Sequence, residues 1–406
     1  MNAKAPILFL VLAGLFAAIA AGSAFAETWT QANAPTNNLW TGIASSADGT
    51  KLFAVAANDN AVYTSTNSGA SWISNNVPNN AGAWSAVASS ADGTKLAAAQ
   101  NYGGIYISTN SGVTWQQSSA HDSQWHSIAS SADGSKLAAV DYWMNTSTNS
   151  GTTWTQLNAL GGGWWTSVAS SADGTKLAAA TYQRSIYVST NSGTAWTSTS
   201  SPSTNWYGMA SSTDGNKLAA YSYSVICTST NAGITWVINT NIVGNGRNGQ
   251  SIASSADGTK LAAAALGQLW TSTNSGVSWQ RDTNSPYLIN GGYSIASSAD
   301  GHILALAELG GSIYVCSNPP PVLPTFSISL TNLLSQQKGY TSYLMLFWPR
   351  WATNVVVQQN SNLSAASWTT VTNLPTLITN TKAQTTNYQV ILPLSGSQGF
   401  YRLNSP

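Results

Sequence analysis

Short apolar runs of β-type residues alternate with two polar turn signals, and this pattern recurs along most of the chain. One copy, from Trp84 to Trp115, reads W-S-A-V-A-S-S-A-D-G-T-K-L-A-A-A-Q-N-Y-G-G-I-Y-I-S-T-N-S-G-V-T-W. Runs of about four to eight such residues between Gly, Asn, Asp and Ser are typical of β-strands. Each copy therefore predicts four strands, which here cover residues 84–90, 95–99, 105–108 and a run that begins at residue 114.

The first signal is an Asp-Gly pair, which we name the Asp turn. It occurs seven times, 40 to 44 residues apart, at Asp48, Asp92, Asp133, Asp173, Asp214, Asp257 and Asp300. Glycine supplies the positive φ of a tight hairpin, and the Asp side chain accepts bonds from backbone N–H groups. We interpret these residues as structural, because a catalytic carboxylate is needed once and not in seven equivalent places. Four strands in a period of about 40 to 45 residues indicate propeller blades.

The second signal reads S-T-N-S-G-x-x-W, and we name it the Asn turn. Its six copies contain Asn67, Asn110, Asn149, Asn191, Asn231 and Asn274. This signal resembles the Asp-box, or BNR repeat, of sialidase-like and sortilin-like β-propellers, whose pattern is S-x-D-x-G-x-x-W. Asn stands where that family usually has Asp. The resemblance covers residue 27 to about residue 318 and implies a fold without assigning an activity.

The seventh copy stops at residues 316–318, before its Asn turn is complete. Its missing fourth strand has a counterpart at the other end of the chain, where Thr28-Trp29-Thr30 matches Ser278-Trp279-Gln280. We therefore predict an all-β fold in which residues 27–318 form a seven-bladed β-propeller closed by its N-terminal strand. Closure of this kind removes the exposed edges of an open array of sheets.

Three further segments lie outside the repeat. Residues 1–26 have the charge, apolar run and small-residue cleavage site (Ala24-Phe25-Ala26) of a secretory signal peptide. We expect a secreted, periplasmic or cell-surface protein with no membrane span once the signal is removed. Residues 319–324 predict a stiff Pro-rich linker. Residues 325–406 contain six β-type runs, at 326–330, 343–348, 354–358, 368–371, 388–392 and 400–403. They predict a small β-sandwich, which resembles the immunoglobulin-like or fibronectin-like modules of secreted bacterial proteins.

Charge and composition limit the ligand classes. Without Lys4, 13 basic residues accompany 13 acidic residues, so no electrostatic attraction to nucleic acid is expected. The three histidines lack metal-ligand spacing, and the chain has no phosphate-binding loop. We therefore predict no metal and no cofactor. Cys227 and Cys316 fall in third strands of different copies, too far apart to bridge. A monomer is expected.

The binding face is predicted from the variation between copies. In a propeller of this strand order the Asp and Asn turns lie on one face, and the strand 2–3 and strand 4–1 connections lie on the other. The second set varies, and loops on a rigid scaffold commonly carry binding residues. The candidates are Tyr102, Tyr142, Trp143, Tyr182, Arg184, Tyr221 and Tyr223. Aromatic and amide-rich loops without a dominant charge predict a non-catalytic recognition or scaffold protein that binds a neutral glycan or an extracellular protein.

A second set of candidates opens the first strand of each copy. Copies one to five have Trp40, Trp84, Trp125, Trp165 and Trp206 there, whereas copies six and seven have Gly249 and Gly292. An arc of Trp with a gap could form a cleft beside the axis, which makes Trp84, Trp125, Trp165 and Trp206 candidate ligand contacts. The alternative is that these rings pack between blades, because aromatic rings commonly supply buried area in cores.

The alternative function is a xyloglucanase-like or sialidase-like glycoside hydrolase. Such an enzyme needs two carboxylates roughly 5–9.5 Å apart. Besides the Asp turns and Glu27, the propeller has Asp59, Asp122, Asp141, Asp282 and Glu308. Asp122 and Asp141 form the best pair, because they belong to consecutive connections of the third copy. A sialidase arginine triad is not supported by Arg184, Arg247 and Arg281, since Arg281 lies beside a fourth strand.

Overall fold

The computed structural model describes residues 28–36, 38–77, 82–157, 162–222, 225–239, 251–265, 267–287 and 292–317, together with six strands between residues 342 and 404. The chain divides into two compact units, Met1–Pro320 and Pro321–Pro406. All elements in the described ranges are strands.

The described part of the first unit begins with β1 (Thr28–Gln31) and continues as seven antiparallel sheets, numbered here in chain order. Sheet 1 comprises β2 (Asn38–Ser45), β3 (Leu52–Ala56), β4 (Ala61–Ser65) and β5 (Ile73–Asn76). Sheet 2 comprises β6 (Ala83–Ser89), β7 (Leu96–Gly103), β8 (Ile105–Ser108) and β9 (Gln116–Gln117), and the short β10 (Ser123–Gln124) also pairs with β7. Sheet 3 comprises β11 (Ser127–Ser130), β12 (Leu137–Val140), β13 (Met144–Ser147) and β14 (Thr155–Leu157).

The remaining sheets repeat this order. Sheet 4 comprises β15 (Trp165–Ser170), β16 (Leu177–Thr181), β17 (Tyr187–Ser189) and β18 (Thr197–Ser198). Sheet 5 comprises β19 (Trp206–Ser211), β20 (Leu218–Ser222), β21 (Ile226–Ser229) and β22 (Val237–Asn239). Sheet 6 comprises β23 (Ser251–Ser254), β24 (Leu261–Ala265), β25 (Gln268–Ser272) and β26 (Gln280–Arg281). Sheet 7 comprises β27 (Gly292–Ser297), β28 (Ile303–Gly311), β29 (Ile313–Ser317) and β1.

The N-terminal strand is the fourth strand of sheet 7. β1 pairs antiparallel with β29, and Trp29 stands opposite Cys316. The start of β2 also pairs with the end of β28, so that sheets 1 and 7 are continuous in hydrogen bonding. The two ends of the repeated region are therefore joined by backbone pairing.

The seven Asp turns are joined by a circuit of backbone hydrogen bonds. The residue before each turn Asp donates its N–H to the equivalent carbonyl of the next turn, as Ala47 does to Ala91 at 2.7 Å. The last bond returns to the first turn, because Ala299 donates to Ala47 at 2.7 Å. The first strands follow the same order, each contacting that of the next sheet and β27 contacting β2. The Asp turns are thus direct neighbours around one end of the sheets.

The Asn turns lie at the same end as the Asp turns. Each of the six donates a backbone N–H to the Asp turn of its own sheet, as Ser111 does to the Thr94 carbonyl at 2.8 Å. Asn110 shows why an amide suits this position. Its Oδ1 accepts from the Thr114 N–H at 2.9 Å, while its Nδ2 donates to the Thr114 hydroxyl at 2.8 Å. We call the end of the sheets that carries the Asp and Asn turns the turn end. The end that carries the strand 2–3 and strand 4–1 connections is called the loop end.

The described part of the first unit has a core of seven clusters, one between each pair of consecutive sheets. Each second strand carries an L-A-A-A type run with side chains alternately in the clusters on its two sides. Leu52 and Ala54, for example, pack between sheets 7 and 1, whereas Phe53 and Val55 pack between sheets 1 and 2. Alanine allows close approach of neighbouring sheets, and larger rings fill the remaining space.

The described residues of the second unit form six strands in two antiparallel sheets. They are β30 (Ser342–Pro349), β31 (Val356–Asn360), β32 (Thr369–Thr370), β33 (Thr376–Asn380), β34 (Thr385–Leu394) and β35 (Phe400–Asn404). The sheet orders are β30-β34-β33 and β32-β31-β35. Five of the six predicted runs fall on these strands, the run at 326–330 lies outside the described residues, and β33 was not predicted. The predicted linker at 319–324 also lies outside the described residues.

Candidate functional site

Three exposed aromatic side chains from sheets 3 and 4 gather at the loop end. Tyr142, Trp164 and Tyr182 are 52%, 64% and 41% exposed, and we name them the aromatic triad. Two backbone hydrogen bonds tie their loops together. Gly163 N–H donates to the Tyr142 carbonyl at 3.0 Å, and Tyr182 N–H donates to the Trp164 carbonyl at 2.8 Å. The triad is therefore held by backbone although each member comes from a different connection.

Glycine and neighbouring rings fix the orientation of the triad. A Cβ on Gly162 would lie 1.9 Å from Tyr142 Cε1, so a side chain there would displace the Tyr142 ring. Trp143 packs against the same ring edge-on, with centroids 5.3 Å apart. Trp164 stacks on His126 with an interplanar angle of 17°. His126 Nδ1 donates to the Trp165 carbonyl at 2.6 Å, which fixes the position of the imidazole.

Arg184 is the cation beside this platform. Its side chain is exposed, and Nη1 lies 3.8 Å from where a Cβ of Gly163 would be. Within the described ranges the one ion pair joins His121 and Asp141, so Arg184 has no carboxylate partner there. An exposed guanidinium can bind a carboxylate with two parallel hydrogen bonds. The site thus combines large aromatic surface with one positive charge.

The other predicted loop tyrosines have different positions. Tyr102 is 74% exposed near the end of β7, the second strand of sheet 2, with a φ of 61°. Tyr221 is 2% exposed and packs between sheets 5 and 6. The prediction that Tyr221 contacts ligand is therefore wrong, because its position in β20 directs the ring into the core. Tyr223 lies outside the described residues.

The Trp residues that open the first strands belong to the core. Trp84, Trp125 and Trp206 have no exposed surface and Trp165 is 2% exposed; Trp40 is likewise buried. Each ring packs between its own sheet and the preceding one, as Trp84 does against Val55 and Tyr106. The prediction that Trp84, Trp125, Trp165 and Trp206 line a ligand cleft is wrong, and the alternative, packing between sheets, describes them. Gly249 lies outside the described residues.

The two carboxylates of the hydrolase alternative, Asp122 and Asp141, differ in their exposure to solvent. Asp141 is 1% exposed and accepts hydrogen bonds from Ser123 Oγ (2.6 Å), Trp143 N–H (2.5 Å) and Asn145 Nδ2 (3.2 Å), besides the 3.1 Å contact with His121 Nε2. Asp122 is exposed. The Ser123 hydroxyl donates to Asp141 and not to His121, so His121 is not placed to activate Ser123 as a nucleophile. Asp141 therefore holds the strand 2–3 turn and the preceding connection of sheet 3 together.

Local hydrogen bonds lower the pKa of all seven turn aspartates. The Ser hydroxyl is the largest cause in five turns; it holds the pKa of Asp92 and of Asp173 at about 2, with further bonds from Thr94 and Thr175. For Asp257 and Asp300, burial acts in the opposite direction and is outweighed by the same bonds. Burial raises the pKa of the Cys227 thiol to about 12, which makes it unreactive. The ionised turn carboxylates are structural groups.

Trp164 is the functional candidate that the sequence analysis missed. Residues 161–165 read G-G-G-W-W, and the second Trp occupies the buried position that recurs in copies one to five. The first Trp stands where the other four copies have Leu39, Ala83, Gln124 and Asn205. An aromatic residue next to a recurring core residue, behind three glycines, is a signal that could have identified it.

Comparison with solved structures identifies the fold. No protein-family model matches the sequence, and no curated protein matches it. A solved structure of YCF48 bound to D1 peptide superposes with a TM-score of 0.56 at 14% identity and covers 72% of this chain and 97% of that chain. YCF48 from Cyanidioschyzon merolae gives a TM-score of 0.55 at 15% identity, covering 71% and 98%. The chain contains a β-propeller. The predicted all-β propeller fold is thereby confirmed.

The described residues also lack two features, a membrane-spanning helix and a cluster of metal ligands. No helix in these ranges has the length and apolar character needed to cross a membrane. No group of three or more His, Cys, Asp and Glu side chains comes together there as a set of metal ligands.

Proposed function

We propose that this protein is an exported, non-catalytic recognition propeller that binds an extended segment of an extracellular protein at the aromatic triad. The seven sheets are the seven blades of one ring, which β1 closes. The observation that carries the proposal is the exposure of Tyr142, Trp164 and Tyr182 on loops tied by backbone hydrogen bonds. Large apolar rings left in solvent on a rigid scaffold mark an interaction site.

The chemistry of the platform favours a polypeptide. Tyr and Trp supply large rigid contact area at low entropic cost, and their polar atoms can bond to peptide carbonyls. Arg184 adds a partner for a carboxylate of the bound segment. The YCF48 structure with a bound D1 peptide is a propeller of similar fold that binds a peptide. A segment with apolar or proline residues and one acidic group fits these features.

A neutral glycan is the second candidate, because exposed aromatic rings also stack on sugar rings. Arg184 is the one charged residue that we place at the platform, so most of the platform surface suits an uncharged ligand. A glycoside hydrolase is the less favoured function, since Asp141 is buried and accepts hydrogen bonds from Trp143, Asn145 and Ser123. The remaining parts of the proposal are a monomeric ring domain, a Pro-rich linker and a C-terminal sandwich module.

The test is a binding screen on the protein from residue 27 onwards. It would be panned against a displayed library of random peptides and applied to a glycan array, with Tyr142→Ala, Trp164→Ala and Tyr182→Ala as site variants. Tyr287→Ala is the matched control, because Tyr287 is 70% exposed and lies on the connection that follows sheet 6. We expect selected peptides whose binding weakens at least about tenfold in the site variants and is unchanged in the control.

The other outcomes separate the candidates. Glycan binding that is lost in the three site variants would support the second candidate and contradict the peptide proposal. Binding retained in all three variants would place the site elsewhere and overturn the assignment of the aromatic triad.

A further inference from the structure

The outer strands of the seven sheets offer seven equivalent edges for comparison. Each outer strand is the last of its sheet, and among the described residues no further strand pairs with its outer side. Such edges are templates for another strand, and proteins usually protect them with polar or charged residues. Four of the seven outer strands follow this rule and carry Gln116–Gln117 (β9), Thr155 and Gln156 (β14), Thr197–Ser198 (β18) or Gln280–Arg281 (β26), and β5 has one exposed aliphatic residue, Ile73, before three polar residues.

The edge of sheet 5 departs from this pattern. β22 reads Val237-Ile238-Asn239, and its two aliphatic side chains are 62% and 50% exposed. Two further exposed aliphatic residues belong to the Asn turns beside it: Ile234 of sheet 5 is 73% exposed and Val277 of sheet 6 is 77% exposed. Asn239 Nδ2 donates to the Gly276 carbonyl at 2.7 Å, which holds the Val277 turn next to the strand. β22 is therefore an outer strand with exposed aliphatic side chains, and Ile234 and Val277 add exposed apolar surface beside it.

The lack of charged side chains around β22 favours a second copy of this chain as the partner at this edge. Residues 218–246 and 261–280 contain no charged side chain. In a two-fold symmetric pairing the same patch faces itself, so any charge on it would meet its own copy. Like charges directly opposite each other destabilise strand pairs. β22 can therefore pair with itself without repulsion, whereas β26 would bring two copies of Arg281 together.

We propose that β22 is a self-association edge, at which two copies of this chain pair antiparallel and join their fifth sheets into one continuous sheet. The expectation of a monomer from sequence then holds at low concentration only. A three-residue strand with four aliphatic side chains is smaller than the roughly 20 to 30 residues a side of a stable interface. The dimer should therefore be weak and should dissociate on dilution.

The experiment is sedimentation velocity on the protein from residue 27 onwards, across a concentration series from low micromolar to near-millimolar. We expect a reversible monomer–dimer equilibrium. Val237→Lys/Ile238→Lys should raise the dimer Kd by about tenfold or more, because it places like charges opposite each other. The matched control is Gln116→Lys/Gln117→Lys, which puts the same charges on the equivalent edge of sheet 2 and should leave Kd unchanged.

A second variant tests the position of the contact directly. Ile238→Cys should form an intermolecular disulfide under mild oxidation, and Gln117→Cys should not; the natural thiols Cys227 and Cys316 are buried. A monomer at all concentrations would overturn the proposal, as would a dimer that is equally stable in Val237→Lys/Ile238→Lys. Melting curves of the variants verify folding. Peptide binding at the aromatic triad is measured separately, so failure of one proposal leaves the other to its own test.

Discussion

The indole N–H of Trp29 donates a 2.6 Å hydrogen bond to the carboxylate of Asp282, which lies 253 residues later in the chain. The corresponding Trp residues of sheets 1 to 5 donate instead to a glycine carbonyl of their own Asn turn, as Trp72 does to Gly69. Sheet 7 has no complete Asn turn, so the connection after sheet 6 provides the acceptor. Asp282 also accepts the N–H groups of Asn284 and Ser285. This carboxylate therefore attaches β1 to its neighbour.

Replacing the donor should weaken this attachment. We expect Trp29→Phe to destabilise the propeller by about 1.5–3 kcal/mol, the usual range for a hydrogen bond to a charged group. For a domain of this size the melting temperature should fall by several degrees, at about 2–4 °C per kcal/mol. Thermal unfolding followed by circular dichroism measures the shift. Gln280→Ala, an exposed change in the adjacent β26, is the control and should leave the melting temperature unchanged.

Removal of the whole strand should have a larger effect. Deleting residues 27–36 removes β1 and leaves β29 as an open edge, with Cys316 and Val315 losing their partners opposite. We expect a melting temperature lower than that of Trp29→Phe and faster proteolysis of sheet 7. Differential scanning calorimetry and limited proteolysis provide the measurements. An unchanged melting temperature would refute the role of β1 in closing the ring.

Acid should destabilise the propeller through its Asp turns. The folded-state pKa of these carboxylates is lower than the unfolded value of about 3.9, and for Asp92 and Asp173 it is about 2. Their contribution is therefore complete above about pH 4–5 and is lost as the pH falls from about 4 to about 2. The melting temperature should decrease over that window. Asp92→Asn should lower it at pH 7 and make the remaining decrease smaller, and an equal decrease in both proteins would contradict this cause.

The neighbouring Trp164 and Trp165 should respond in opposite ways to truncation. Trp165 is 2% exposed in the core between sheets 3 and 4, so Trp165→Ala should cost about 3–5 kcal/mol of unfolding free energy. Trp164 is 64% exposed, and Trp164→Ala should change stability by less than about 0.5 kcal/mol. Urea denaturation of the two variants measures the difference. Similar losses in both would show that Trp164 is a packing residue and not part of a recognition surface.

Substitution of Asp141 should lower the stability of the protein more than substitution of Asp122. Asp141→Asn places an amide nitrogen among several donors in a buried site and should cost about 1–3 kcal/mol. Asp122→Asn is an exposed change and should be nearly neutral. A hydrolysis screen on polysaccharides accompanies the denaturation curves. Turnover that either variant abolishes without loss of stability would favour the hydrolase alternative over the recognition function.

Local sequence determined the elements that rely on contacts between residues close in the chain. The Asp turn, the Asn turn and the strands between them follow from hydrogen bonds within about five residues, which is why the period of the repeat and the propeller fold could be predicted. The Trp29 match also indicated the strand that pairs with β29, because the same local pattern marks every fourth strand.

Tertiary structure alone decided which side chains reach solvent at the loop end. Trp164 and Trp165 are adjacent and identical, yet Trp164 lies in the connection before β15 and is exposed, whereas Trp165 opens β15 and packs in the core between sheets 3 and 4. Asp141 and Tyr221 lie in variable loop-end positions but turn inward to serve their own sheets. The aromatic triad depends on backbone bonds between connections of different sheets, and a pattern read along one chain segment does not contain those distances.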